Sequence, residues 1–257
     1  MTAIPIPPIL SALKEPVKEL YAQGNLELLK RTKVAIVGSR KALLYSKNMT
    51  ERLSFMLSSA GVVVVSGGAM GVDAAAHRGA MPNTIAVLPT SLDILYPKIN
   101  SALLKEISES GLLISEYGKG APVSKYNFVL RNRIVAALSN ALVIAQADLN
   151  SGSLRSAEYA IECGVPIYVF PHRIGESEGS AQLVKNGQAE VIEDFGAFVK
   201  IFAPQSDING NGTKDELLAF CAKNSDLNEC LRQFGDKIYE YELAGKIEIK
   251  GMRVKIV

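Results

Sequence analysis

Tryptophan is absent from this 257-residue chain, histidine occurs twice and cysteine three times. Each scarcity excludes something. Cys163, Cys221 and Cys230 are odd in number and show no C-x-x-C spacing. That argues against a disulfide framework or a zinc site, and for a reducing compartment. His77 and His172 lie far apart with no ligand spacing around them, so neither a metal nor a cofactor is expected. No stretch holds the ~18 to 20 apolar residues that span a bilayer. Pro5, Pro7 and Pro8 stand where a secretory leader would carry basic and then apolar residues. The expectation is a soluble, cytoplasmic protein with no membrane partner. Charge of one sign is missing too, because the formal net charge is only +2. A diffuse polycation is excluded, so any nucleic-acid footprint must be local.

What the chain does have is alternation. Short β-branched runs at Lys33–Val37, Val62–Ser66, Thr84–Leu88, Leu112–Ser115, Ala141–Ala145 and Pro166–Phe170 predict strands. Most are continuously apolar, as in parallel strands covered on both faces. Met49, Leu53, Met56, Leu57 and Ala60 mark one face of a helix between the first two. Ser101–Ser110 and Leu154–Gly164 predict further helices that glycine ends. Repeated β-α units of this kind give an α/β fold, a doubly wound and mainly parallel sheet. It is assigned to residues 1–202, with 1–32 as an extension holding one weak helix that caps the sheet. Residues 203–214 (APQSDINGNGTK) read as a linker. Residues 215–257 then show three short helices and a hairpin, the winged-helix pattern. Its third helix carries Asp236, Glu240 and Glu242 against Lys237, more acidic than a DNA-reading helix usually is.

Four segments point to a ligand. The first strand runs straight into Gly38-Ser39-Arg40. At a strand's carboxyl end, glycine lets a ligand approach, helix amides attract an anion, and an arginine fork suits phosphate. The second strand ends in Ser66-Gly67-Gly68-Ala69, with Asp73 near the start of the next helix. A third turn, Asn150-Ser151-Gly152-Ser153-Leu154, follows the strand at 141–145. The fourth segment is Lys125-Tyr126-Asn127-Phe128-Val129-Leu130-Arg131-Asn132-Arg133. Four basic residues and no acidic one lie between Glu116 and Asp148, and Lys125, Phe128 and Arg131 share one helical face. Single-stranded DNA needs that mixture, cations for phosphates and a ring for unpaired bases. An equally simple reading makes Phe128 core and the cations a solvated rim. No Walker P-loop is present, G-x-G-x-x-G is absent after the first strand, and no catalytic triad or carboxylate pair is apparent.

Taken in order, VAIVGSR (34–40), VVSGGAMGVDAAAHRGA (64–80), IAVLPTSLDILYPKIN (85–100), LISEY (113–117), NFVLRNRIVAALSNALVIAQA (127–147) and SGSLRSAEYAIECGVPIYVFP (151–171) resemble the signature of the DprA/Smf family. The likeness spans roughly residues 20 to 195. It implies an extended Rossmann-like domain that binds single-stranded DNA, forms homodimers and helps load the RecA recombinase during natural transformation, without catalysis. By motif position it implies DNA contacts from Gly38, Ser39, Arg40, Lys125, Phe128, Arg131 and Asn132, with Ser66, Gly67, Gly68 and Ala69 lining the same pocket. The stretch His172–Ser177 before Glu178-Gly179-Ser180 departs from the family pattern.

Two rivals remain at this stage. One is an enzyme like the Rossmann-like phosphoribohydrolases, whose P-G-G-x-G-T-x-x-E loop cleaves nucleotide ribose bonds. Ser156 stands where its glutamate belongs, and Glu158 lies two residues on, about 200° around a helix. The other is a small-nucleotide sensor that uses the same glycine turns without turnover.

Overall fold

Runs of valine, isoleucine and leucine build the centre of the first unit, since a strand covered on both faces offers no place to a polar side chain. The computed structural model describes residues 1–121, 124–203 and 216–256. It divides the chain into two compact units, Met1–Pro204 and Gln205–Val257. In the first, the strands are β1 (Thr2–Ala3), β2 (Tyr21–Gly24), β3 (Lys33–Gly38), β4 (Val63–Ser66), β5 (Thr84–Val87), β6 (Leu112–Ser115), β7 (Ala141–Gln146), β8 (Ile167–Val169) and β9 (Glu190–Val191). The helices are α1 (Leu44–Ser59), α2 (Val72–Ala80), α3 (Ser101–Ser110), α4 (Lys125–Ala137), α5 (Gly152–Glu162), α6 (Glu178–Lys185) and α7 (Phe195–Phe202). The sheet order is β1-β2-β6-β5-β4-β3-β7-β8-β9. All pairs from β6 to β9 are parallel, and every residue of β4, β5, β6 and β7 is buried. The predicted α/β class and the six predicted strands are therefore present.

The strand sequence runs outward from β3 to β6 on one side, then restarts at β7 on the other. Such a reversal leaves a crevice at the carboxyl ends of the strands, because the two following connections depart to opposite faces. The crevice here lies where the chain leaves β3 and β7.

The extension at 1–32 differs from its predicted form. Instead of one weak helix it holds two 3-10 turns, Pro8–Ala12 and Leu26–Lys30, and two strands. β2 pairs antiparallel with β6, Tyr21 opposite Ser115 and Gly24 opposite Leu112. Leu10, Leu13, Val17 and Leu20 are buried in the main core. Periodicity could not show this. A four-residue strand whose partner is some 90 positions away has no local pattern.

The second unit holds α8 (Glu216–Lys223), α9 (Leu227–Phe234), α10 (Lys237–Leu243) and the antiparallel pair β10 (Ile247–Lys250) and β11 (Arg253–Ile256). Its own core gathers Leu217, Cys221, Leu227, Cys230, Ile238, Ile247 and Val254. Residues 204–214 of the predicted linker lie outside the described residues. Among the described residues, no helix is long and apolar enough to cross a membrane.

Candidate nucleic-acid interface

The first turn is built by close packing. A Cβ on Gly38 would stand 2.7 Å from Val72 Cγ2 and 3.0 Å from the Gln146 carbonyl, so a side chain there would push α2 and β7 apart. Beyond it, the Ser39 amide donates to the Gln146 carbonyl at 2.9 Å, and the Lys41 amide donates to Ser39 Oγ at 3.1 Å. Those two bonds close the turn and leave the Arg40 and Lys41 side chains directed outward. Gly71 has φ +79°, and a Cβ on it would meet the Ser39 carbonyl at 2.3 Å. Glycine is required there twice over.

The second turn, expected to line the pocket through Ser66–Ala69, runs on to Gly71 and has its polar groups turned inward. The Ala69 amide donates to Asp73 Oδ2 at 3.3 Å. Asn100 Nδ2 donates to the carbonyls of Gly68 and Ala69, both at 3.0 Å. Arg131 Nη1 donates to the carbonyls of Gly67 and Val87. Three buried polar side chains thus clamp the turn from behind. Burial pushes the Asp73 carboxyl up against the opposing pull of Arg131, and burial pushes the Arg131 guanidinium down to about 10. The arginine's charge is held internally.

The basic segment forms α4, capped by Ser124 Oγ accepting from the Tyr126 amide at 3.2 Å. Phe128 is half-buried, with Arg40 Cζ 5.9 Å from its ring centroid and Tyr96 edge-on at 5.4 Å. Arg131 is only 4% exposed and Arg133 only 2%. Arg133 grips Glu116 with both nitrogens, at 2.8 and 2.7 Å, and its Nε donates to the Glu15 carbonyl. Half of the predicted cationic stripe is therefore internal structure. Asn132 accepts from Arg131 Nε at 3.2 Å and donates to the Gly152 carbonyl at 3.4 Å, tying α4 to the start of α5.

These parts surround one cavity of about 520 Å³. Of the predicted residues, Gly38, Ser39, Arg40, Gly67, Ala69, Phe128, Arg131 and Asn132 line it. Ser66 lies behind the wall, where its Oγ donates to the Ile36 carbonyl, and Gly68 is likewise buried. Lys125 opens α4, but its side chain lies outside the described residues. Reading the sequence missed Lys41 and Asp148, which also line the cavity. Lys41 could have been found by extending the first turn one residue. The carboxylates on the lining are Asp73, held inside, and Asp148 at the third turn. Glu158, the acid nearest to the phosphoribohydrolase position, instead pairs with Arg155 at 2.7 Å on an exposed helix face.

Residues 3–203 match the family described as DNA recombination-mediator protein A. The chain belongs to this family. The predicted DprA/Smf resemblance is thereby met, and the family is described as one of recombination mediators. DNA processing protein DprA of Streptococcus pneumoniae is 42% identical over 173 residues, 65% of this chain and 61% of that protein. Protein Smf of Synechocystis is 37% identical over 195 residues, 72% of this chain and 49% of that protein. The chain thus spans about half to three-fifths of the length of these two relatives. Among solved structures, DNA processing protein A from Helicobacter pylori, described for its unique single-stranded DNA binding mode, is 42% identical. It superposes with a TM-score of 0.76 over 78% of this chain and 94% of that one. The Streptococcus pneumoniae structure gives 0.73 at 37% identity, over 78% of this chain and 74% of that one.

Proposed function

We propose that this family member binds single-stranded DNA in the crevice at the carboxyl ends of β3, β4 and β7, and that, as a homodimer, it helps load a RecA recombinase during natural transformation. The observation that carries the DNA reading is the pairing of Arg40 with Phe128 at the cavity wall. A cation and an aromatic face within 6 Å suit a phosphate and the unpaired base beside it. Lys41 adds a second outward cation, and the α5 N-terminus, with Ser151, Gly152 and Ser153, closes the anion side. The DNA binding of the Helicobacter pylori relative supports the same reading.

Arg40→Ala should weaken single-strand binding and flatten the log–log salt dependence by about one unit, since each phosphate-bound cation releases condensed counterions. Phe128→Ala should cost about 1–3 kcal/mol of affinity with little sequence preference. Fluorescence anisotropy over a salt series measures both. Unchanged slope and affinity in the two variants would place the DNA elsewhere.

The second unit is proposed to be a separate winged-helix-like domain that contacts protein. Its α10 carries Glu240 and Glu242 behind Asp236, a poor surface for phosphate. A chain ending near Pro204 should fold alone and keep most single-strand affinity. More than a ten-fold loss in that folded fragment would assign DNA contacts to the second unit.

A further inference from the structure

The second unit brings together two groups that sequence spacing kept apart. Cys221 lies in α8 and Cys230 in α9, and their sulfurs stand 3.6 Å from each other in the core of that unit. Residues 224–226 join the two helices. Phe220 and Phe234 meet edge-on across the same seam, with ring centroids 5.4 Å apart. Cys230 Sγ donates to the Asn224 carbonyl at 3.4 Å, at the foot of the seam. Cys221 is 5% exposed, whereas Cys230 is wholly buried. All three cysteines of the chain are thiols, and Cys163 belongs to the first unit, at the end of α5. Buried thiols often serve as small apolar filler. What sets this pair apart is contact between the sulfurs. A disulfide bond is about 2 Å long, so roughly 1.5 Å of closure separates the pair from a cross-link. A side-chain rotation or a small slide of one short helix supplies that much.

We propose that Cys221 and Cys230 form a modification site, a dithiol that peroxide oxidises to a reversible disulfide stapling α8 to α9. Access follows from size. Gln205–Val257 is a small unit, and small units bury the least surface and open locally at low cost. Peroxide, little larger than water, needs to reach only Cys221, the sulfur nearer the surface. The Cys221 thiolate attacks one peroxide oxygen. An S–O bond forms, the O–O bond breaks, and hydroxide leaves as water with the proton of the thiol. The Cys230 sulfur then attacks the Cys221 sulfenic acid. The S–S bond forms, the S–O bond breaks, and a second water carries off the Cys230 proton. Two electrons pass from the sulfurs to the peroxide oxygens. Two molecules of a small thiol reverse the step by exchange and leave as their own disulfide. In a reducing compartment, disulfides of this transient kind sense oxidants rather than hold a fold together.

The test maps thiols on the full chain in native buffer. After a stoichiometric dose of hydrogen peroxide, the remaining thiols are alkylated with iodoacetamide in denaturant, and the peptides are mapped by mass spectrometry. Alkylatable thiols should fall from three to one, Cys163. The peptides of Cys221 and Cys230 should appear joined, with the loss of two hydrogens, and dithiothreitol should restore all three thiols. In Cys230→Ser, which cannot close the bond, dimedone should trap a sulfenic acid at Cys221. The map of the unsubstituted chain stands however that variant folds. Three alkylatable thiols after peroxide would overturn the proposal. So would a link that forms only in urea, a link through Cys163 or to a second chain, or a sulfinic acid at Cys221 with no link at all.

Discussion

Glu116→Ala is expected to destabilise the first unit by about 3–5 kcal/mol, because it leaves the Arg133 guanidinium buried without its counter-charge. The two side chains are 3% and 10% exposed, and their contact is bidentate. Arg133 also donates to the carbonyls of Glu15 and Leu130, so the pair joins α4, the end of β6 and the N-terminal segment. Urea denaturation should show a lower midpoint with little change in slope. A double change, Glu116→Leu with Arg133→Met, should recover most of the loss, since a well-packed apolar pair avoids burying charge at all. If Glu116→Ala costs under about 1 kcal/mol, water is solvating the orphaned arginine. The role given to the pair in joining α4, the end of β6 and the N-terminal segment would then be wrong.

The second large effect is a loss of stability in acid that traces to His77. Thr84 Oγ1 donates its own proton to the Val64 carbonyl at 2.9 Å, so at 2.7 Å it can only accept from His77 Nδ1–H. Nε2 is then the unprotonated nitrogen, buried and with no partner among the described residues. Burial, followed by the positive charges of Arg131 and Arg78, pushes the imidazole down to about 3. In the unfolded chain it titrates near 6.5. Below that value the unfolded state binds a proton that the folded state refuses, so stability falls as pH falls. The expected slope approaches 1.4 kcal/mol per pH unit between roughly pH 6.5 and 3, a total near 5 kcal/mol. His77→Gln keeps a donor for Thr84 and removes the titration. Its stability measured from pH 7 to 4 should therefore fall less steeply than the parent's by about one proton. Parallel curves for the two proteins would show that His77 is protonated in the fold.

These two effects mark where the sequence stops being legible. The six central strands could be read because burial on both faces erases polar positions, as at Val62–Val65 and Leu142–Ala145. The turn at Gly38 could be read because a strand followed at once by glycine signals a close approach, here by Val72. Arg131 and Arg133 looked like surface cations beside Lys125. Charge composition does not say which guanidinium finds an internal partner, and both partners, Asp73 and Glu116, lie in other elements. The inward direction of the Ser66–Gly71 turn was hidden for the same reason. It depends on Asn100 and Arg131, each about 30 residues or more away in sequence. Tyr96 carried no signal of its own until the loop after β5 stood against α4.

The antiparallel edge has a consequence for the order of assembly. β2 and the buried apolar residues before it leave the ribosome ahead of their partner strand β6, which follows some 90 residues later. At translation rates of ~5–20 residues per second, that is a wait of roughly 5–20 s. Through that interval Leu10, Leu13, Val17 and Leu20 have no β6 to dock beside, and they form a greasy segment within reach of a chaperone. The β2–β6 ladder therefore cannot close until long after β2 itself has been made.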